Sequence, residues 1–303
     1  MTPDLVLLGN LLVDDVVFPD GRTRMGQPGG AMLYASLGAA LWGARAGLVS
    51  LRGTDYPEGA LEALRERGVA TGGIRELGRP GVRTWLLYEG RVRRVVHRLG
   101  GPTHEEVSPE PGDVPAPWCA AKHFHLAPMP IAQQARQARE LGANGAFVSI
   151  DPHELVTEAT LPRWRDVLAH ADAFFPSEDE LRLDDAQTDP HRALRRLAGG
   201  RLRFVCFKRG LKGGILYDAR ADRFHEWTAR THGVADPTGA GDCFAAGFLC
   251  ALLGGLPLDE CLRHGVVGAS FAIEDWGPDG LLAAAPGAAA ARLKAWYGEE
   301  AKA

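Results

Sequence analysis

DPTGAGDCFAAGFL, residues 236–249, joins a glycine-rich turn to an all-apolar run and puts one carboxylate, Asp242, at the junction. Gly239, Ala240 and Gly241 carry almost no side chain, so another group can come close to their backbone N–H groups. The run from Cys243 to Leu253 has no charged residue and reads as a buried helix. A helix N-terminus preceded by small residues gathers unpaired N–H donors and the positive end of the helix dipole. That is an anion site, and phosphate is a common occupant. Asp242 is a second negative group in the same place. Chemically this makes sense if it takes a proton from a hydroxyl that attacks the phosphate. Structurally it reads as an N-cap, a role that Asp fills well.

Outward from this string the chain alternates between strand and helix patterns. Strands are expected at 5–8, 46–51, 146–150, 173–175 and 202–208, with 214–218 as the hairpin partner of the last. Helices are expected at 31–41, 58–67, 131–141 and 259–274, besides the one after Asp242. Such alternation argues for a mostly parallel sheet covered on both faces. Ligands of such sheets sit beyond the C-terminal strand ends. Asp14, Asp151, Ser177, Glu180 and Lys208 all fall at or just after expected strand ends, which points to one shared site. Two segments depart from the pattern and read as β-hairpins. One spans 13–26 and turns at Pro19-Asp20-Gly21; the other spans 82–99 and turns at Glu89-Gly90. Within the second, alternation places Arg83 and Trp85 on one face and Thr84 and Tyr88 on the other.

The 236–249 string resembles the C-terminal signature of the PfkB (ribokinase-like) carbohydrate kinase family. Asp236, the small residues 239–241, Asp242 and the Ala246-Gly247 pair inside the helix carry the likeness, and it extends over nearly the whole chain. It implies an α/β fold of ribokinase type: three αβα layers around a mostly parallel sheet, with a small β-sheet lid over the sugar site. Residues 1–303 are then expected to form a single kinase domain, with lid segments at about 12–28 and 80–101. The resemblance implies Asp242 as catalytic base and the backbone of Gly239, Ala240 and Gly241 as the anion hole for the transferred phosphate.

Other residues acquire expected roles by the same likeness. Asp14, in GNLLVDDVV, matches an Asp that binds substrate hydroxyls, with Asp15 as the competing match. Gly29-Gly30 resembles the N-terminal Gly-Gly motif at the substrate. Tyr34 stands where ribose-binding members carry Asn, which argues against a plain ribokinase and leaves Tyr34 as either pocket or core. Trp85 is a candidate for stacking on a sugar or base, or for packing lid against lid. In PSEDE, Glu180 matches the Glu of an Asn-x-x-Glu motif that helps hold Mg²⁺ through water, while Ser177 replaces the Asn. Ser177 and Glu180 also fit a helix capping box. FKRGLKGGILYD, 207–218, resembles the nucleotide segment, with Lys208 toward a phosphate and Gly210 and Gly213 leaving room. Thr238 joins the ATP-binding set. Asp236 matches a residue that, with backbone after the last helix, encloses a monovalent cation, K⁺ being the candidate. ATP and Mg²⁺ are the implied cofactors.

Bulk properties narrow the partners. A formal charge of −4 and a pI near 6.2 create no general attraction to nucleic acid or an anionic membrane. The five cysteines, at 119, 206, 243, 250 and 261, form no CxxC pair, so neither a disulfide framework nor a zinc site is expected. With no signal peptide pattern or bilayer-length apolar run, the expected location is cytoplasmic. Expected partners are ATP and a small sugar, polyol or nucleoside; a homodimer, if one forms, would use the lid edges. Two rivals stand beside the kinase. A catalytically silent ligand sensor on the same scaffold is favoured by Ser177 and the altered Gly-Gly region. A dehydrogenase on a similar sheet is weakened by the lack of a GxGxxG unit; nor is there a P-loop.

Overall fold

A computed structural model describes residues 2–89 and 92–298. The chain opens with β1 (Leu5–Leu8), whose alternate residues divide between two cores. Leu5 and Leu7 belong to one hydrophobic cluster, Val6 and Leu8 to the other, and all four are fully buried. A strand apolar at every position is what burial on both faces requires.

Next come β2 (Leu12–Val17) and β3 (Thr23–Gly29), then α1 (Ala31–Leu41), β4 (Ala46–Arg52), α2 (Glu58–Glu66) and β5 (Ala70–Glu76). The second hairpin follows as β6 (Arg83–Glu89) and β7 (Val92–His97), and then the short α3 (His104–Val107). Gly90, half of the expected turn of that hairpin, lies outside the described residues. The central region holds β8 (His123–Leu126), α4 (Ile131–Ala143), β9 (Phe147–Ile150), β10 (Val156–Thr157), α5 (Leu161–Leu168), β11 (Ala173–Phe174) and β12 (Leu181–Arg182). After α6 (Pro190–Leu197) the antiparallel run β13 (Phe204–Lys208), β14 (Gly214–Asp218) and β15 (Arg223–Trp227) closes one edge. Helices α7 (Ala240–Leu253), α8 (Leu258–Ile273), α9 (Asp279–Ala283) and α10 (Ala288–Tyr297) complete the chain.

The central sheet has nine strands in the order β15-β14-β13-β11-β9-β8-β1-β4-β5, parallel except at the β13–β15 edge. Residues of α1, α2, α7 and α8 pack on one face and of α4, α5 and α6 on the other. The two hairpins form a separate four-stranded sheet, β3-β2-β6-β7, in which β2 runs parallel to β6. This is the three-layer architecture with a small lid sheet that the sequence implied. Strands β5, β10, β12 and β15 were not legible as strands. The PSEDE segment also differs from its helix-cap reading: no helix follows, and residues 177–180 form a turn that leads into β12.

Candidate active site

The site begins where α7 begins. Its N-cap is Gly239, at φ +77° and with no side-chain cap, and Ala240 is the first helical residue. The N-cap reading of Asp242 is therefore replaced: Asp242 is the third residue of the helix. Only glycine suits position 239, for two reasons. The φ value is left-handed, and a Cβ there would overlap the ring of Tyr34. Tyr34 is 3 % exposed and packs beneath the turn, so it is both core and wall.

Beneath the first turn of α7 lies an ion pair. Asp151 follows β9 and Lys208 ends β13; the Lys208 Nζ donates to both Asp151 carboxylate oxygens, at 2.9 and 2.7 Å. A Cβ on Gly241 would come within 3.0 Å of that ammonium, so Gly241 lets the helix sit directly on the pair. Lys208, expected to face a phosphate, is thus already engaged by a carboxylate. Burial alone would lower the Lys208 pKa, but the charges of Asp151, Glu180 and Asp242 keep its ammonium favoured. For Asp242 burial pushes the carboxyl well above its usual range, Asp151 and Glu180 push the same way, and Lys208 opposes. No neighbouring side chain is hydrogen-bonded to Asp242 among the described residues.

Ser177 and Glu180 meet this group from the turn after β11. The Ser177 backbone N–H donates to Glu180 Oε2 at 2.7 Å, and Ser177 pairs with Lys208 as an isolated parallel bridge. Gly210 (φ +54°) and Gly213 (φ +82°) bracket the turn between β13 and β14. A Cβ on Gly213 would overlap the Trp227 carbonyl, so tight turning already requires this glycine.

The opposite side of the site is built by the four-stranded sheet and the entrance to α1. Asp14 is 7 % exposed, accepts a hydrogen bond from the Thr84 hydroxyl, and lines a narrow cavity of ≈ 20 Å³ with Gln27, Tyr34, Leu86, Asp236 and Trp276. That volume is about one water's worth, so the lid sits close on the body. A Cβ on Gly29 would overlap Asp14 Oδ2; one on Gly30 (φ +94°) would overlap the Asn10 carbonyl. Gly29 thus makes room for the Asp14 carboxylate, and Gly30 for the backbone of residues 10–12. Asp15 points the other way, into a two-bond ion pair with Arg83 at 2.6 and 2.7 Å.

Trp85 requires a correction. It lies on the outward face of β6, beside Asp15 and Val96 in register, and does not line the cavity. The inward face carries Thr84, Leu86 and Tyr88, and the aromatic walls come from Phe18 and Trp276. Trp276, in the loop after α8, was missed; its ring meets Phe18 and Tyr88 edge-on at centroid distances of 4.5 and 5.1 Å. Period-two alternation could have favoured Tyr88 over Trp85, but no local signal announces Trp276.

Asp236 is 2 % exposed, and its carboxylate is a junction. Oδ1 accepts from the Tyr88 hydroxyl at 2.5 Å and from the Thr238 N–H at 2.9 Å; Oδ2 accepts from the Gly277 N–H at 3.0 Å. The oxygens expected beside a monovalent cation already hold three protein donors. His125 is buried on Ser149 Oγ at 2.9 Å, and burial lowers its pKa to about 3. It is a neutral core histidine. All five cysteines are free, and no group of metal-ligating side chains occurs among the described residues. No helix among them is long and apolar enough to cross a membrane.

Residues 14–283 match the model of the pfkB family of carbohydrate kinases, and the chain belongs to that family. It is 33 % identical over 281 residues to the cytidine kinase of Thermococcus kodakarensis, covering 90 % of this chain and 97 % of that protein. Its fold matches the Burkholderia thailandensis nucleoside kinase solved with inosine, at a TM-score of 0.76 and 16 % identity over 97 % of this chain and 98 % of that one. It also matches an Escherichia coli protein assigned as a ribokinase II and solved with ATP and Mg²⁺, at a TM-score of 0.74 and 20 % identity, covering 92 % and 94 %.

Proposed function

We propose that this protein transfers the γ-phosphoryl group of ATP to a primary hydroxyl of a small nucleoside or sugar, with a ribonucleoside such as cytidine as the first acceptor to test. The observation that carries the reading is the Asp242 carboxyl, packed at the first turn of α7 beside backbone amides that no side chain caps. The full-length likeness to a cytidine kinase supports a nucleoside over a free sugar.

In the reaction Asp242 accepts the hydroxyl proton as the acceptor oxygen bonds to the γ-phosphorus and the bond to the ADP oxygen breaks. Its raised pKa suits a group that must take up a proton. The amides of Gly239, Ala240 and Gly241 stabilise charge on the transferring group. Asp14 accepts the acceptor's other hydroxyls, and Ser177, Lys208, Gly210, Gly213 and Thr238 border the ATP side. Of the carboxylates near the Lys208 ammonium, Glu180 is the one that suits a hard, oxygen-seeking cation such as Mg²⁺, since Asp151 is engaged by Lys208 and Asp242 is the base. Glu180 would hold it through water, and the ion would offset negative charge on the phosphates. The lid excludes water once the acceptor is in place.

The test is ADP release from ATP and Mg²⁺ across a panel of nucleosides, sugars and polyols, with and without K⁺, beside Asp242→Asn. A nucleoside-dependent signal that the variant abolishes supports the reading. Turnover confined to sugars moves the acceptor class. Silence across the panel with ATP bound favours the sensor alternative.

A further inference from the structure

Strand β6 touches both halves of the site. At one point Thr84 donates to Asp14, the carboxylate assigned to the acceptor hydroxyls. Four residues along the same inward face, Tyr88 donates to Asp236 Oδ1 at 2.5 Å. Tyr88 is 7 % exposed and its ring is held edge-on by Trp276 at 5.1 Å. The oxygen it reaches also accepts the Thr238 N–H, and Thr238 Oγ1 lies 3.1 Å from the phenol oxygen. Thr238 immediately precedes Gly239, the N-cap of α7. The path from lid to anion hole is therefore two hydrogen bonds long.

We infer that Tyr88 is a positioning residue: its hydroxyl, acting through Asp236, holds the 236–239 loop, and with it the anion hole, in its working shape. The inference rests on the proposed kinase reading for its catalytic consequence. A bond from a neutral hydroxyl to a carboxylate is charge-assisted, and here it is buried, so it is stronger than an exposed one. The same Asp236 carboxylate ties in the loop after α8 through the Gly277 N–H at 3.0 Å. Three segments distant in sequence thus converge on one side chain, and of the three donors only Tyr88 belongs to the four-stranded sheet.

A packing role and a positioning role differ in one substitution. Tyr88→Phe keeps the ring against Trp276 and removes only the hydroxyl. The positioning role predicts a fall in kcat of about tenfold to a hundredfold with the KM for ATP within about twofold. It also predicts faster amide hydrogen exchange across 236–241 in the ligand-free protein, a readout that needs no turnover. Asp236→Asn combined with Tyr88→Phe should be non-additive in kcat, since the two changes break one bond. Unchanged kcat and unchanged exchange in Tyr88→Phe overturn the inference. So does a kcat loss with unchanged exchange at 236–241, which would place the hydroxyl's role elsewhere. If the native protein transfers phosphate to no acceptor while Tyr88→Phe still loosens 236–241, the kinase reading fails and the coupling of lid to loop stands.

Discussion

Helices α1 and α7 start alike and serve different partners. Each follows a glycine with positive φ, +94° at Gly30 and +77° at Gly239, and neither has a side-chain cap. Both are almost wholly apolar, and they lie against each other closely enough that a Cβ on Gly38 would come within 3.0 Å of the Cys243 Cα. They differ in where the carboxylate at the N-terminus comes from. In α7 it is Asp242, part of the helix's own first turn, whereas α1 has no acid there. The carboxylate at the entrance to α1 is Asp14, on lid strand β2. The group assigned to proton transfer therefore rides on the rigid core, and the group assigned to acceptor recognition rides on the lid.

The largest test of this division is Asp242→Asn. Turnover should fall by about 10²–10⁴-fold with the melting temperature preserved, because Asn keeps the shape and removes the base. The pH profile carries the sign. Asp242 works only when ionised, and its pKa is raised, so kcat/KM should climb with pH above the ordinary carboxylate range and then level off. Near-native turnover in the variant would falsify the assignment, whereas a base-dependent limb at ordinary carboxylate pH would keep the base and remove the raised pKa.

Asp14→Asn should act on recognition instead. Loss of charge-assisted bonds to hydroxyls predicts an acceptor KM about 10- to 100-fold higher, with kcat much less changed. If kcat falls and KM does not, the contrast between the two helix entrances collapses.

Gly239→Ala is expected to cost about 1–2 kcal/mol for the left-handed backbone alone, and more for the overlap with Tyr34. Calorimetry would measure it; an unchanged melting temperature would mean that the turn is free to change shape. The smallest effect belongs to Trp85→Ala. On the outward face of β6 it should leave the acceptor KM within about twofold, and a larger rise would bring Trp85 back as a substrate contact.

Much of the fold was legible locally. The range 31–41 coincides with α1, and 214–218 with β14 as the antiparallel partner of β13. These elements have continuous apolar runs and clear glycine boundaries. Strand β15, RFHEW, is a half-exposed edge strand whose ladder is supplied by β14, and it lacks an apolar run of its own. The turn at 177–180 reads as a helix start because a cap and a turn use the same Ser and Glu chemistry.

By itself the sequence determined the glycine-rich entrance to α7, the carboxylate in its first turn, and the alternation that yields a parallel sheet. Those follow from backbone conformation and side-chain period, which act over a few residues. Only the tertiary structure decided that Lys208 pairs with Asp151, that Asp14 rather than Asp15 faces the cavity, and that Tyr88 and Gly277 meet on Asp236. Each of these joins residues far apart in the chain, and only strand order and the docking of the lid bring them within bonding distance.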